Sequence, residues 1–492
     1  MDLTNTSAVW FALALVFIAA VITKIARQKV MFNPVCNNPR PPVLKGGSII
    51  VLLYVLVRKG LRAMIHDQHA KLGSVFTVSL FGLEITFLAE PEVLGHFYQG
   101  LDSEISHSGL LEFTVPMIGK EVGYGVDIIT RAEQGRFYSD ALKPSKLRCH
   151  AGPMLQEVEA YFARWGQQGV VDLKQELQLL LTLIAGRCLV GTEVREKMFG
   201  EVFTLFHQLL DNGFRLTSVL FPYAPTPANR RRDRARAKLS GIFTEIVRSR
   251  NSSNGVENDV LQSLIDSKYG DGRPTTEAEV AGMIISWLVA AKHTSSAAST
   301  WTGVHLLSNA WCLTASLEEQ KKIIRKYGDN IGYNVLLEMD FLHCCIKEAL
   351  RIHPPAPVFF RKVHKNFSVQ TKEGMKYEIS KGHTIVNPVL FNCNIPDIYK
   401  DPDVYNPNRF GPRGEEDKVS NKFSYTAFGG GRHTCIGEGY AYMQIKMIWS
   451  YLLRNFELKL ESPFPETDWR KIILEPKGKV MVSYKRRSLP ST

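Results

Sequence analysis

The chain has 492 residues, of which 45% are hydrophobic and 22% are charged, so it can bury a large apolar core. Its formal net charge is +12, yet the sequence contains no nucleic-acid-binding module and no basic stripe interleaved with aromatic residues. We therefore expect no nucleic-acid partner. The positive charge instead favours an anionic membrane surface or an acidic protein partner.

Residues 1–29 are predicted to form an N-terminal transmembrane helix. Residues 7–22 contain no charged side chain, and Lys24, Arg27 and Lys29 follow them. A spanning helix needs about 20 apolar residues, and flanking cations can extend a slightly shorter run to the interface. Because the cations follow the run, we expect an uncleaved, single-pass anchor in the endoplasmic reticulum membrane, with the rest of the chain in the cytosol.

A proline-rich hinge is predicted at residues 30–45, followed by one large domain at residues 46–492. Alternating apolar and polar residues at 76–88 predict a β-hairpin, and the stretch Thr275-Thr276-Glu277-Ala278-Glu279 predicts a capped helix start. Long helices are predicted at 133–212, 276–308 and 315–352, and short strands at 357–386. The expected fold class is mainly α with small β-sheets.

A cysteine flanked by glycines precedes one of the predicted helices. The stretch 428–437 reads FGGGRHTCIG, and a helical run follows it. A thiol at a helix N-terminus is expected to have a lowered pKa, because free backbone N–H groups and the helix dipole stabilise the thiolate. Cys435 is therefore a candidate metal ligand, and the alternative is a buried, inert cysteine at a glycine-rich turn.

The pattern Phe428-x-x-Gly431-x-His433-x-Cys435-x-Gly437 resembles the haem-binding loop of the haem-thiolate cytochromes, the cytochrome P-450 superfamily. The resemblance implies the cytochrome P-450 fold, haem b with Cys435 as its iron ligand, and a haem-thiolate catalytic domain at residues 46–492. It also implies that Phe428, His433 and Gly437 contact the cofactor, that O₂ is a substrate, and that NADPH-cytochrome P-450 reductase supplies electrons. The histidine at position 433, where the superfamily usually has arginine, resembles the pattern of the sterol 14α-demethylases.

A second stretch, Ala290-Ala291-Lys292-His293-Thr294-Ser295, resembles the segment that lies over the distal side of the iron in this family. A hydroxyl that bonds back to a helix carbonyl can open the helix ladder and admit water. The resemblance implies that Thr294, His293 and Ser295 are catalytic residues for proton delivery. His293 replaces the usual acid and can carry protons near neutral pH; the alternative is an ordinary helix-face histidine.

Three further residues resemble the charged triad that holds the cysteine loop in this family. Glu348 and Arg351 stand three residues apart on one face of a predicted helix, and Arg409 lies in a later loop. We expect these three to be structural. Arg361 and Tyr124 occupy positions that face the haem propionates in the family, and the alternatives are a surface cation and a core aromatic residue.

The residues expected to face the substrate depart from the sterol demethylase pattern. Leu111 and Ile118 replace two aromatic residues, while Ala291 replaces glycine and Lys292 replaces glutamine. Replacing two aromatic residues with aliphatic ones keeps the cavity apolar and alters its shape, with neutral variation as the alternative. The Lys292 ammonium, by contrast, must find solvent or an acid. The predicted substrate-contacting residues are Leu111, Phe113, Met117, Ile118, Tyr124, Ala290 and Ala291.

A complete haem-binding pattern beside an altered cavity resembles the divergent cereal branch of the plant sterol demethylases, known for the β-amyrin oxidase activity of avenacin biosynthesis. The resemblance implies a membrane-bound monooxygenase that hydroxylates or epoxidises a pentacyclic triterpene in defence triterpenoid biosynthesis. The first alternative is obtusifoliol 14α-demethylation. The others are a haem-thiolate isomerase that needs no reductase and a non-catalytic lipid-binding protein.

Overall fold

A computed structural model describes residues 38–487, apart from residues 46, 81, 253–258, 413 and 420–421. The predicted anchor at residues 1–29 and the first half of the predicted hinge lie outside this part of the chain. Within it, no helix combines the length and the apolar character needed to cross a bilayer.

Helices dominate the described residues, and short 3-10 and π-helical turns connect several of them. The helices are α1 (Gly47–Leu72), α2 (Gly95–Gln99), α3 (Val115–Ile118), α4 (Ile128–Ala141), α5 (Pro144–Ala163), α6 (Leu173–Ala185), α7 (Phe199–Gly213), α8 (Leu216–Leu220), α9 (Pro227–Ser252), α10 (Val260–Ile265), α11 (Glu277–Ser308), α12 (Ala310–Tyr327), α13 (Tyr333–Leu337), α14 (Asp340–Ile352), α15 (Val389–Asn392), α16 (Glu416–Val419) and α17 (Glu438–Asn455).

The described strands form three small sheets. They are β1 (Val43–Leu44), β2 (Val75–Leu80), β3 (Leu83–Leu88), β4 (Ile105–Ser106), β5 (Gln168–Asp172), β6 (Phe359–Val363), β7 (Phe367–Gln370), β8 (Lys376–Ile379), β9 (Thr384–Asn387), β10 (Phe456–Leu460) and β11 (Met481–Arg486). The largest sheet has the order β1-β2-β3-β9-β6-β4, and the others are β10-β11-β5 and β7-β8. Strands β2 and β3 pair antiparallel, which confirms the predicted hairpin.

The second half of the predicted hinge belongs to the folded domain. Strand β1 pairs parallel with β2, and the carbonyl oxygen of Pro42 accepts the N–H of Thr77 (2.8 Å). The carbonyl oxygen of Pro39 likewise accepts the N–H of Glu378 (3.0 Å). Proline lacks an N–H but keeps its carbonyl acceptor, so this proline-rich segment can serve as a sheet edge. Residues 38–45 of the predicted hinge therefore lie against two sheets of the domain, and the division at residue 45 stays a prediction.

Helix α11 passes through the main core and carries the predicted distal stretch. Thr276 and Glu279 form the capping box that the sequence predicts, with the Thr276 N–H donating to the Glu279 carboxylate (2.7 Å). Helices α6, α9 and α14 pack against α11. Most of its side chains are buried, but residues 290–294 are exposed or half-buried. The middle of the helix therefore has an open face.

A buried ionic cluster joins helix α14 to the segment before the cysteine loop. Glu348 accepts from the Nε atoms of Arg351 (2.7 Å) and Arg409 (3.0 Å), and all three side chains are fully buried. Each arginine also donates to the backbone: Arg351 to the Pro402 carbonyl (2.7 Å) and Arg409 to the Val404 carbonyl (3.2 Å). The structure thus brings the predicted triad together.

Two tyrosines extend this anchorage toward the cysteine loop. The Tyr399 hydroxyl donates to the carbonyl oxygen of Ser424 (3.1 Å), and the Tyr425 hydroxyl donates to that of Lys347 on α14 (3.2 Å). The start of the cysteine loop is therefore tied to the helix that carries two members of the triad.

We expect Glu348→Gln to lower the free energy of unfolding by about 3–5 kcal/mol, because it leaves the buried Arg351 guanidinium without a carboxylate partner and leaves Arg409 with Glu416 alone. Urea denaturation followed by circular dichroism measures this change. The matched control is Glu318→Gln, since Glu318 and Lys321 form a solvent-exposed pair with the same spacing of three residues. That control should leave the midpoint unchanged. Equal effects of the two substitutions would show that the triad does not stabilise the fold.

Candidate active site

The cysteine loop is a tight turn that leads into helix α17. The backbone N–H of Cys435 donates to the carbonyl oxygen of Phe428 (2.7 Å), and the Phe428 ring packs against Tyr442 with 5.2 Å between centroids. Gly431 has a φ of +57°, and a Cβ there would lie 2.5 Å from the Tyr98 carbonyl oxygen. Only glycine therefore fits at position 431. The turn leaves the thiol of Cys435 exposed.

The surroundings of Cys435 raise the pKa of its thiol. Although solvent can reach the sulfur, nearby protein atoms displace much of the bulk water, and this burial raises the pKa. A hydrogen bond from the Gly437 backbone N–H opposes the rise, and the charge of Glu438 adds to it. The expectation that the start of α17 lowers the pKa is therefore wrong in its net direction. The positive charge of a metal ion would favour the thiolate at this position.

Arg361, on strand β6, is a buried cation without an acidic partner. Its side chain contacts Nε2 of His107 and donates to the carbonyl oxygen of Phe360 (2.9 Å), while its Nε atom has no hydrogen-bond partner. Within the described residues, no carboxylate lies at ion-pair distance, and burial lowers the pKa of Arg361. A buried, unpaired guanidinium is costly unless an anion reaches it, and a haem propionate is such an anion.

His107 lies at the centre of the predicted propionate-binding residues. Its ring centroid is 6.0 Å from that of Tyr124 and 6.4 Å from that of His433. Burial and neighbouring cations lower the pKa of His107 to about 3, so it is neutral at physiological pH. Arg131 stacks over the Tyr124 ring at 4.9 Å. Nε2 of His433 is buried and makes no hydrogen bond; it lies 3.9 Å from the Asp102 carboxylate, too far for one.

These residues fit a haem group. The accessible thiol could ligate the iron, and the buried donors without acidic partners could bind the propionates. The sequence pattern predicts Arg361, Tyr124 and His433 for this task, and the structure places all three around one histidine. His107 and Arg131 belong to no motif. The pairing of β4 with β6 brings His107 beside Arg361, and the stacking contact brings Arg131 to Tyr124.

Thr294 and His293 lie on the open face in the middle of α11. The Thr294 hydroxyl donates to the carbonyl oxygen of Ala290 (2.8 Å), and Ala290 itself is exposed. Burial, with a smaller contribution from the charge of Lys292, lowers the pKa of His293 to about 4. His293 is therefore neutral near pH 7. It can pass a proton between its two ring nitrogens, but it does not hold an extra one.

Ser295 lies on a different face of the helix. It is buried, and its hydroxyl accepts a hydrogen bond of 2.5 Å from Nε2 of Gln444 on α17. Its hydroxyl joins two helices, so the structure does not bring Ser295 together with Thr294 and His293, and its catalytic role stays a prediction. Ala291 packs in part against the main core.

Two of the predicted substrate-contacting residues are core residues. Met117 and Ile118 are 0% and 5% exposed and belong to the main hydrophobic cluster, so they do not line an open cavity. Close packing explains this: a Cβ added to Gly213 of α7 would lie 2.6 Å from the Met117 sulfur. Leu111 and Phe113 remain half-buried, and the Phe113 ring meets Phe214 at 6.2 Å. Among the described residues of this loop, they remain the better candidates for substrate contact.

Lys292 reaches from α11 toward α7. Its Nζ atom contacts Nε2 of His207 and lies 5.8 Å from the centre of the Phe206 ring. Burial lowers the pKa of Lys292 to about 8, and the charge of Asp211 opposes the shift. The sequence singles out Lys292 as an unusual residue, but it gives no sign that His207 is its partner, because the two lie on separate helices.

Known proteins resemble this chain over nearly all of its length. The profile of the family described as Cytochrome P450 matches residues 41–483. The chain is 51% identical over 449 residues to an obtusifoliol 14-alpha demethylase from Sorghum bicolor, covering 91% of each chain. It is 51% identical over 473 residues to a sterol 14-demethylase from Arabidopsis thaliana, covering 95% of this chain and 97% of that one.

More distant comparisons agree. A lanosterol 14-alpha demethylase from Bos taurus is 34% identical over 427 residues, covering 86% of this chain and 83% of that one. The retinoic acid-bound cyanobacterial CYP120A1 superposes with a TM-score of 0.78 at 21% identity, covering 92% of this chain and 100% of that one, which supports the shared fold. With the family profile spanning most of the chain, the protein belongs to the cytochrome P450 family, has the mainly helical P450 fold and is a monooxygenase.

Proposed function

We propose that the protein is a sterol 14-demethylase that acts on a plant sterol such as obtusifoliol. The observation that carries this proposal is the identity of 51%, over more than nine-tenths of both chains, to plant enzymes named for that reaction. This similarity favours the alternative obtusifoliol function over β-amyrin oxidation, which the sequence pattern implied as the main function. The more distant lanosterol 14-alpha demethylase points to the same class of substrate.

In this proposal the chain holds haem b between the cysteine loop and the buried cations. Cys435 would ligate the iron, and Arg361, His433 and Tyr124, with His107, would receive the propionates. When bound, the haem-thiolate group supplies the activation of dioxygen. The triad around Glu348 positions the cysteine loop and takes no part in the chemistry.

Thr294 is proposed as the residue that delivers protons. Its hydroxyl donates to the Ala290 carbonyl and still has acceptor capacity, so it can hold a water molecule on the open face of α11. His293, neutral at physiological pH, can orient that water through either ring nitrogen. Ser295 supports this geometry by fixing α11 against α17 through Gln444.

Electrons are proposed to come from NADPH through NADPH-cytochrome P-450 reductase. The net charge of +12 would favour an acidic redox partner. The endoplasmic reticulum membrane remains the proposed location, with residues 1–29 as the single-pass anchor. Sterols partition into membranes, so a membrane location also suits the proposed substrate.

A second candidate is oxidation of a pentacyclic triterpene such as β-amyrin, in the defence pathway that the sequence pattern implied. Leu111 in place of the family's tyrosine, and Lys292 in place of its glutamine, favour this candidate. Leu111 is half-buried, two residues before Phe113, whose ring meets Phe214 just after α7, and Lys292 contacts His207 on that helix. Both changes therefore lie near the same helix, where they can alter how a rigid polycycle is held.

Turnover with each substrate distinguishes the two candidates. We expect purified enzyme, with reductase and NADPH, to convert obtusifoliol to its 14-demethylated product and to show a Soret shift on titration with obtusifoliol. We also expect Leu111→Tyr to tighten obtusifoliol binding by up to about 10-fold, because it restores a polar group of the family pattern. An oxygenated product from β-amyrin, with none from obtusifoliol, would replace the first candidate by the second.

We expect Cys435→Ala to abolish the carbon monoxide difference band of the reduced protein, because the substitution removes the proposed iron ligand. Cys149→Ala is the matched control, since Cys149 is also an exposed cysteine and lies on α5. The control should keep the full band. Persistence of the band in Cys435→Ala would refute the assignment of the ligand.

We expect Thr294→Val to reduce the ratio of product formed to NADPH consumed by about 10-fold or more, since the hydroxyl that delivers protons is lost. Thr294→Ser should restore most of the ratio. Thr302→Val is the control, because the Thr302 hydroxyl makes the same 2.8 Å bond to the carbonyl four residues earlier, but in a buried position. If both valine variants lower the ratio equally, the loss comes from a changed helix conformation and not from lost proton delivery.

A further inference from the structure

Two basic side chains meet between helices α7 and α11. Nδ1 of His207 lies 2.6 Å from the carbonyl oxygen of Phe203, which can only accept, so Nδ1 carries the proton. Nε2 of His207 is therefore an acceptor, and the ammonium group of Lys292 donates to it. This chain of two hydrogen bonds fixes the direction of the Lys292 side chain.

The Lys292 ammonium retains unused donors. It carries three N–H groups, and in the described part of the chain His207 is its single hydrogen-bond partner. Asp211 acts on Lys292 through its charge but does not lie within ion-pair distance. The lysine is half-buried, so its two remaining N–H groups are partly removed from bulk water. A partly buried ammonium in this state is stabilised by an acceptor from outside the chain.

Lys292 belongs to the same turn of α11 as the proposed catalytic residues, and its ammonium lies on the side of that turn that meets α7. Lys292 is two residues before Thr294, in the segment 290–294 where the otherwise buried helix is open. Its contact, His207, is exposed on α7, and the half-buried Phe113 packs against Phe214 at the end of that helix. The amine thus lies between the open part of α11 and the helix next to the loop that is proposed to contact the substrate.

We infer that Lys292, held in place by His207, is a specificity-determining residue that donates a hydrogen bond to an oxygen atom of the substrate. The inference rests on the proposed function, because it requires that the site binds a rigid polycycle. It adds that the substrate presents an oxygen acceptor, either a hydroxyl or a carboxylate group, toward α7. An entirely hydrocarbon polycycle would leave the two remaining N–H groups of the ammonium without an acceptor.

The two kinds of acceptor differ in how their binding depends on pH. Burial lowers the pKa of Lys292 to about 8, so the ammonium form is present below that pH and is lost above it. The charged or titratable groups near it are His207 and Asp211 on α7 and His293 on its own helix; Lys471 and Glu475, from the C-terminal loop, act on His293. A carboxylate ligand should lose affinity as pH rises through about 8, whereas a hydroxyl ligand should change little.

Spectral titration of the haem-loaded enzyme tests the inference. The ligands are obtusifoliol, β-amyrin, the deoxy analogue of each, and a carboxylate derivative of the same ring system. We expect Lys292→Met to weaken binding of the oxygen-bearing polycycle by about 10-fold or more, as loss of a hydrogen bond to a charged group predicts, and to leave the deoxy analogue unchanged. Lys292→Arg, which keeps a cationic donor, should recover part of the affinity.

Unchanged haem content and thermal midpoint in Lys292→Met will show that the variant folds. Equal affinities of Lys292→Met and the wild-type enzyme for the oxygen-bearing ligand, or equal losses for that ligand and its deoxy analogue, would overturn the inference and leave the proposed function intact. If the wild-type enzyme binds none of the polycycles, the proposed function and the inference fail together.

Discussion

The architecture of the site depends on one buried carboxylate. Glu348 lies between two guanidinium groups that also bind backbone carbonyls on the segment leading to the cysteine loop. A buried ion pair contributes little net stability by itself, but removal of one partner is costly, so such a cluster permits few alternative arrangements. The loop that carries Cys435 would otherwise be a glycine-rich turn with many accessible conformations. Its defined shape follows from contacts made some distance from the thiol.

Buried cations serve two different purposes in this protein. Arg351 and Arg409 have a carboxylate partner and several carbonyl acceptors, so their charges are compensated within the fold. Arg361 has a neutral histidine and one carbonyl, and its Nε atom is unpaired. Lys292 is similarly paired with a neutral imidazole. At Arg361 and Lys292 the uncompensated charge marks a place where we expect an anionic or acceptor group from outside the chain.

The sequence predicts features that depend on local chemistry. The hairpin at 76–88, the capping box at Thr276 and the glycine-rich turn before Cys435 each need only neighbouring residues, and the structure has all three. Features that depend on tertiary packing were missed or predicted wrongly. The net pKa of the thiol is set by burial, which outweighs the helix terminus. Ser295 faces α17 because one residue after Thr294 the helix has turned by about 100°. His107 and His207 belong to no motif and gain significance only through partners distant in the chain.

The way the chain joins the domain limits how the domain can be presented. The carbonyl groups of Pro39 and Pro42 bond to two different sheets, so residues 38–45 cannot serve as a flexible hinge. If residues 1–29 form the proposed anchor, residues 30–37 separate it from the first described residue, and a segment of that length spans at most about 29 Å. The β1 edge of the molecule would then stay close to the bilayer surface. The short connection would restrict which face of the domain can turn toward the lipid.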